Sequence, residues 1–223
     1  MMDAEASSAN SQEARKTFMV CLGDSITHGD TGQGFNAPHP WPEQVGRMLG
    51  INVVNCGHNG ASTLDYATYP EWDQARKVLP SAGLVTIGLG TNDIDLEHER
   101  DAVGASRVVV RLERLADEAL ALACADTERA VPVSVLSVPQ MAVAGPIMDR
   151  FSYDELIDIN AAVAMLNAEY LDLCRRRGWT FVDYAIGLNQ RRELYGNTIH
   201  PNQDGYDLMA CLIAPQLATL LAH

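Results

Sequence analysis

The stretch from Lys16 to Ile26 reads K-T-F-M-V-C-L-G-D-S-I, and its apolar run ends abruptly at Gly23-Asp24-Ser25. A short run with β-branched and aromatic members, closed by turn formers, is typical of a buried strand that leads into a tight turn. Ser25 would then lie at the carboxyl end of a strand, where open α/β sheets bind their ligands. Taken alone, Ser25 is more simply interpreted as the cap of the helix that follows. The segments that follow the later strands decide between the two interpretations.

Four more apolar runs follow along the chain, and they are continuous rather than alternating. Such runs are expected of parallel strands that are covered by helices on both faces. The predicted strands are Thr17–Leu22, Ile51–Val54, Leu84–Gly88, Val131–Leu136 and Trp179–Val182. Strands of this kind, alternating with helices, predict an α/β fold with a parallel sheet and right-handed crossovers.

Segments with helical periodicity separate the strands. The best defined begins after Ser152, where Glu155 completes a capping box, and ends in three arginines before Gly178. The other predicted helices are Pro42–Leu49, about Asp101–Ala123 and roughly Gly205–Leu221, the last with a bend at Pro215. We therefore expect a three-layer α/β/α sandwich formed by residues 17–223 as a single domain. Residues 1–16 are small and polar, so we expect a disordered lead-in.

Composition excludes several classes of protein. A formal net charge of −13 over 223 residues argues against nucleic-acid binding, which requires a basic face. No apolar run has the length of a membrane span, and the first residues lack the features of a secretory signal. Five dispersed cysteines without a C-x-x-C pair indicate the reduced thiols of a cytosolic protein. The sequence around His98 has no metalloprotease spacing, and we predict no metal site.

Polar residues follow each of four predicted strands. The segments concerned are Gly23–Thr27, Asn55–Gly60, Gly88–Asp93 and, after a further loop, Gly196–Asn202. In a parallel sheet these turns emerge at the same edge, so a serine, a glycine, an asparagine and a histidine can converge there. Acyl transfer needs this set: a hydroxyl nucleophile, an imidazole base and N–H donors for the oxyanion. Each residue alone has an ordinary structural explanation, but all of them together indicate a hydrolytic site.

In these blocks the chain resembles the SGNH hydrolases, the GDSL-type esterases and lipases. The matching segments are Gly23-Asp24-Ser25-Ile26, Asn55–Gly60, Gly90-Thr91-Asn92-Asp93, and His200-Pro201-Asn202 with Gly205-Tyr206. They occur in the family's order and span nearly the whole chain after the lead-in. The resemblance implies a flavodoxin-like sheet of five parallel strands, a small ester as substrate, and no cofactor. We expect a short acyl or acetyl group; the sequence does not predict the oligomeric state.

The resemblance also implies roles for single residues. Ser25 corresponds to the nucleophile and His200 to the general base. The oxyanion hole would consist of the backbone N–H groups of Ser25 and Gly60 and the side chain of Asn92. Gly57 competes with Gly60 for the glycine role. We prefer Gly60, because the residues after it, Ala61-Ser62-Thr63, are in register with the family's G-x-T segment.

The chain departs from the family three residues before the histidine, where Asn197 replaces an aspartate. An asparagine can accept a hydrogen bond through its side-chain oxygen but carries no charge. In the first interpretation, Ser25 and His200 act as a dyad whose ring is oriented by Asn197 or a backbone carbonyl. In the second, a carboxylate from a neighbouring segment substitutes, and the candidates are Asp183, Glu193 and Asp204. In the third, the site is catalytically inactive and binds an acylated ligand or a carbohydrate.

We rank these interpretations in that order, because the nucleophile, the base and the oxyanion donors are all retained. Acyl transfer to a sugar hydroxyl is a further alternative that the same residues could perform if water were excluded. The segment Met141–Phe151 is apolar for a loop at this edge of the sheet. It could line an acyl pocket or act as a lid, although packing against the sheet edge or a partner subunit is the preferred interpretation.

Overall fold

The computed structural model describes residues 18–125, 130–143 and 151–221, and a five-stranded sheet forms its centre. The strands are β1 (Phe18–Gly23), β2 (Asn52–Gly57), β3 (Ala82–Gly88), β4 (Val133–Leu136) and β5 (Thr180–Val182). They lie in the order β2-β1-β3-β4-β5, and all neighbouring pairs are parallel. This is the strand order of flavodoxin-like sheets. The predicted α/β class and sheet are therefore confirmed, with strand boundaries that differ by three residues at most.

Helices connect the strands along both faces of the sheet. They are α1 (Ser25–His28), α2 (Trp41–Leu49), α3 (Pro70–Val78), α4 (Thr91–Asp95), α5 (Ala102–Ala123), α6 (Tyr153–Arg177), α7 (Ala185–Leu188) and α8 (Gln203–Leu221). The capping box predicted for Ser152 and Glu155 is present, and Gly178 ends α6 in the left-handed conformation. Helix α8 includes Pro215. Helix α3 was not predicted, because its buried face consists of only Trp72 and Ala75.

Alternate residues of each strand pack against opposite layers of helices. In β1, Val20 and Leu22 join the core under α3, α5 and α6, whereas Met19 and Cys21 join the core under α2, α7 and α8. All four of these side chains are fully buried. Burial on both faces explains why the strands read as continuous apolar runs in the sequence.

Two predictions fall outside the described residues. The expected lead-in, 1–16, lies entirely outside them, and so do residues 144–150 of the apolar segment Met141–Phe151. In the ranges that are described, no helix is both long and apolar enough to cross a lipid bilayer.

Candidate active site

Ser25 is the first residue of α1, directly after the end of β1. The residue that caps this helix is Asp24, whose Oδ1 accepts the backbone N–H of Ile26 at 2.9 Å. The interpretation of Ser25 as a helix cap is therefore wrong, and its hydroxyl is available for other contacts. The turn also requires Gly23, because a Cβ there would lie 2.1 Å from Oγ1 of Thr27.

His200 lies in the loop before α8. The Ser25 hydroxyl donates to Nε2 of His200 at 2.9 Å. Nδ1 of the same ring donates to Oδ1 of Asn197 at 3.2 Å. The structure thus brings together the three residues that the sequence placed at the centre of the site, in the order serine, histidine, asparagine.

The carboxamide of Asn197 has a defined orientation. Its Oδ1 also accepts the backbone N–H groups of Ile199 at 2.8 Å and of His200 at 2.7 Å. In the flipped amide, the NH₂ group of Asn197 would face these two N–H groups, and donor would meet donor. The oxygen therefore points toward the two N–H groups and toward the imidazole ring. Nδ1 of His200 therefore carries the proton, and the lone pair of Nε2 faces Ser25. The amide nitrogen of Asn197 packs against Gly32, where a Cβ would lie 2.1 Å away.

The three carboxylates considered as substitutes have other surroundings. Asp183 accepts from the backbone N–H of Ile186 at 3.4 Å, and Glu193 pairs with Arg191 at 3.0 Å. Asp204 is exposed in the first turn of α8. Asn197, in contrast, faces the imidazole directly.

The two candidate glycines differ in the availability of their N–H groups. The N–H of Gly57 donates to Oδ1 of Asn55 at 3.0 Å, and a Cβ on Gly57 would lie 2.2 Å from the backbone nitrogen of His28. Gly57 therefore allows a close approach of α1 to β2. Gly60 has a φ of +83°, and its N–H has no acceptor among the described residues. Of the two, Gly60 has the free donor.

Asn92 follows β3 in the short helix α4 and is almost completely buried. Its Nδ2 donates one hydrogen to the backbone oxygen of Ala61 at 2.8 Å, which fixes the orientation of the amide and leaves the second hydrogen available. The backbone N–H of Ser25 likewise has no acceptor in the described part of the chain. Donors that can bind an oxyanion therefore follow β1, β2 and β3, which are neighbours in the sheet.

Two buried carboxyl groups flank these residues, and sequence reasoning assigned them no role. Burial raises the pKa of Asp24, next to Ser25, to about 7. Burial also raises the pKa of Asp93, next to Asn92, to about 6. Asp93 accepts from the backbone N–H of Thr63 at 2.9 Å and from its hydroxyl at 2.5 Å. In the sequence, each of these acids stands directly beside a polar site residue just after an apolar strand. This pattern is the signal from which they could have been identified.

The described residues contain no group of three or more His, Cys, Asp and Glu side chains arranged to hold a metal ion. The reactive groups of the site are a hydroxyl that is hydrogen-bonded to an imidazole, and N–H donors around that hydroxyl. This is the constellation of nucleophilic acyl transfer.

Comparison with known proteins gives a consistent picture. The model of the GDSL-like Lipase/Acylhydrolase family matches residues 21–208. An acetylxylan esterase of Xylanibacter ruminicola is 28% identical over 219 residues, an alignment that includes 88% of this chain and 42% of that protein. The chain thus spans less than half the length of that relative.

Solved structures share the fold. A carbohydrate acetylesterase family member from Sinorhizobium meliloti superimposes with a TM-score of 0.70 at 20% identity, covering 93% of this chain and 100% of that one. An aryl esterase of M. smegmatis gives a TM-score of 0.69 at 21% identity, covering 92% of this chain and 99% of that one.

Proposed function

Since the chain belongs to the GDSL-like lipase/acylhydrolase family, we propose that it is a carboxylic ester hydrolase with Ser25 as nucleophile and His200 as general base. The observation that carries the proposal is the 2.9 Å hydrogen bond from the Ser25 hydroxyl to Nε2 of His200. It is supported by the orientation of the ring, because Asn197 holds the proton on Nδ1 and leaves Nε2 as the acceptor. A base in this tautomer is ready to accept the serine proton.

The reaction proceeds in two steps. Oγ of Ser25 forms a bond to the ester carbonyl carbon as its proton passes to Nε2 of His200, and the carbonyl oxygen becomes an oxyanion. The bond to the leaving oxygen then breaks, and the imidazolium returns the proton to the departing alcohol. In the second step water attacks the acyl-enzyme with His200 again acting as base, and the carboxylic acid leaves as Ser25 regains its proton.

The oxyanion is proposed to be bound by the backbone N–H groups of Ser25 and Gly60 and by the side chain of Asn92. These donors support the proposal because each has a hydrogen with no acceptor among the described residues. Donors that are already oriented stabilise the developing charge without reorganisation during the reaction.

We assign the orienting role to Asn197 rather than to a substitute carboxylate. Its oxygen is fixed by two backbone N–H groups and can hold the imidazole in place. It supplies a dipole but no negative charge to the imidazolium, so turnover is expected to be below that of a site with an aspartate here.

The proposed substrate is an ester of a short acyl or acetyl group, with a carbohydrate as the alcohol part. The support for this choice is the similarity to an acetylxylan esterase and to a carbohydrate acetylesterase family member. Ser25 and Asn92 are both almost completely buried. The space beside the Ser25 hydroxyl is therefore limited, which favours a small acyl group.

Cysteine chemistry is not part of the proposal. Cys21, Cys56 and Cys174 are buried thiols, and burial raises the pKa of Cys21 and of Cys56 to about 12 and that of Cys174 to about 11. Thiols with such pKa values stay protonated and unreactive. The support for the proposed cytosolic location is the pattern of five dispersed cysteines without a C-x-x-C pair.

The test is hydrolysis of 4-nitrophenyl esters of increasing acyl length. We expect wild-type protein to hydrolyse the acetate fastest and Ser25→Ala to lose all activity above background. Ser106→Ala, an exposed serine on α5, is the matched control and should keep wild-type turnover. Activity that persists in folded Ser25→Ala would contradict the mechanism, and a folded wild-type protein without activity would favour a binding domain.

A further inference from the structure

The loop of Gly60–Thr63 is joined to helix α4 by hydrogen bonds that span about thirty residues of sequence. Asn92 donates to the backbone oxygen of Ala61 at 2.8 Å. The carboxylate of Asp93 accepts hydrogen bonds from the backbone N–H of Thr63 at 2.9 Å and from its hydroxyl at 2.5 Å. Consecutive residues of α4 therefore hold consecutive parts of the loop that contains Gly60.

Packing contributes little to the position of Gly60 itself. A Cβ built on this residue would meet no atom within 4 Å, and its φ of +83° is one that glycine adopts without cost. A glycine with open space beside it is free to rotate unless its neighbours are restrained. The turn that contains Gly60 is closed by the bond from the Ala61 N–H to the His58 oxygen at 3.2 Å, and just after it Thr63 is bound to Asp93 through both its N–H and its hydroxyl.

The carboxylate of Asp93 is itself held in place. Its side chain is fully buried, and Nη1 of Arg111 lies 4.0 Å from it. The same guanidinium bonds to Glu99 at 3.2 Å, and Glu99 also pairs with Arg107. A chain of charges thus leads from the surface of α5 to the oxyanion loop. A buried carboxylate is retained at such a site only where hydrogen bonds and countercharge offset its desolvation.

We propose that Asp93 is a positioning residue for the oxyanion hole, acting through Thr63. It keeps the Gly60 N–H and the Asn92 amide at a fixed separation, so both donors point at the same oxyanion. Asp93 does not touch the substrate. This inference rests on the proposed function, because it requires that Gly60 and Asn92 bind the oxyanion.

The test uses three threonine variants. Thr63→Val keeps the shape of the side chain and removes the hydroxyl that donates to Asp93, whereas Thr63→Ser keeps the hydroxyl. Thr86→Val is the matched control, a buried threonine in β3 outside the loop. For each protein, kcat and KM are measured with 4-nitrophenyl acetate, with active sites counted by fluorophosphonate titration. The inhibition constant of a short alkylboronic acid, which forms a tetrahedral adduct on serine, is measured alongside.

We expect Thr63→Val to lower kcat by about 10- to 100-fold with an unchanged KM, since misplacing a catalytic donor by about 1 Å has an effect of this size. The boronic acid should bind more weakly by the same factor, because its adduct places an oxygen in the oxyanion hole. Thr63→Ser should restore most of the activity, and Thr86→Val should match wild type. Loss of folded protein alone would lower the titrated concentration but leave kcat per site and boronate affinity unchanged.

Wild-type kcat and boronate affinity in Thr63→Val would overturn the inference, and so would an equal loss in Thr86→Val. If Thr63→Val does not fold, Thr63→Ala replaces it, since it also removes the hydroxyl, with the same loss of kcat and boronate affinity expected. These outcomes are separate from failure of the proposed function, which would appear as wild-type protein that neither hydrolyses the ester nor reacts with the fluorophosphonate.

Discussion

The two halves of the site are supported in different ways. On the nucleophile side, two buried carboxyl groups lie beside the site residues in the sequence. Asp24, next to Ser25, accepts the backbone N–H of Ile26, and Asp93, next to Asn92, accepts that of Thr63. On the base side, His200 is held by the neutral side chain of Asn197 at a half-buried position. The negative charge that serine hydrolases usually place behind the histidine is thus replaced by an amide at this position.

The difference separates two tasks that an aspartate performs together. Orientation of the imidazole requires only a correctly placed acceptor, and the oxygen of Asn197 is fixed by two backbone N–H groups. Stabilisation of the imidazolium requires charge, which an amide does not supply. The nucleophile side therefore resembles a fully preorganised site, whereas the base side is oriented but electrostatically weaker.

Among changes to the residues that support Ser25 and His200, the largest effect is expected on the nucleophile side, from Asn92→Ala. This change removes a donor to the oxyanion and the anchor to Ala61, so kcat should fall by about 10² to 10³. The measurement is kcat per titrated active site with 4-nitrophenyl acetate. Asn52→Ala, an exposed asparagine at the start of β2, is the control and should remain active. A loss of only a few-fold in Asn92→Ala would mean that the oxyanion is bound elsewhere.

A smaller effect of opposite sign is expected on the base side, from Asn197→Asp. The carboxylate can accept the same three N–H groups and adds a negative charge beside the imidazolium. Turnover at neutral pH should rise about tenfold or more, within the roughly 10⁴-fold effect of the reverse change in a serine protease. Asn197→Ala should lower turnover. If Asn197→Asp leaves the rate unchanged or lowers it, Asn197 does not orient the ring and a substitute carboxylate becomes the better hypothesis.

The smallest effect on turnover is expected for Asp24→Asn, because an asparagine also caps a helix well. Its effect on stability should depend on pH. Burial raises the pKa of Asp24 from 3.8 to about 7, so between these pH values the folded state binds a proton that the unfolded state has released. The free energy of unfolding therefore falls with rising pH in this window, and the fall is complete above about pH 7.

The variant lacks this titration, so its stability relative to wild type should improve as the pH rises from about 4 to about 7. Urea denaturation of both proteins across this range measures the difference. If the difference in the free energy of unfolding stays constant across this pH range, Asp24 does not titrate there. Burial would then not raise the pKa of the acid beside Ser25.

The sequence was sufficient for the fold and for the expectation that the proposed site residues lie at one edge of the sheet. Continuous apolar strands followed by polar turns predict a parallel sheet, and its geometry brings Ser25, Asn92 and His200 to one edge. The contact of Asp93 with Thr63 could not be predicted, because it joins turns after different strands through side-chain geometry alone. The orientation of the Asn197 amide was equally inaccessible, since it depends on backbone N–H groups of the folded loop.

The choice between Gly57 and Gly60 shows the same limit. Both follow β2 in a segment rich in turn formers, and the sequence register favours Gly60. The physical distinction is that Asn55 occupies the N–H of Gly57, which is a property of the turn and not of the residue type.

Fluorophosphonate labelling followed by mass spectrometric mapping is the decisive test of whether Ser25 is a nucleophile activated by His200. We expect one covalent adduct, on Ser25, in wild-type protein, and a labelling rate lower by orders of magnitude in His200→Ala. Circular dichroism establishes that both proteins are folded. A folded wild-type protein that is not labelled, or an adduct on another residue, would show that Ser25 is not the activated nucleophile.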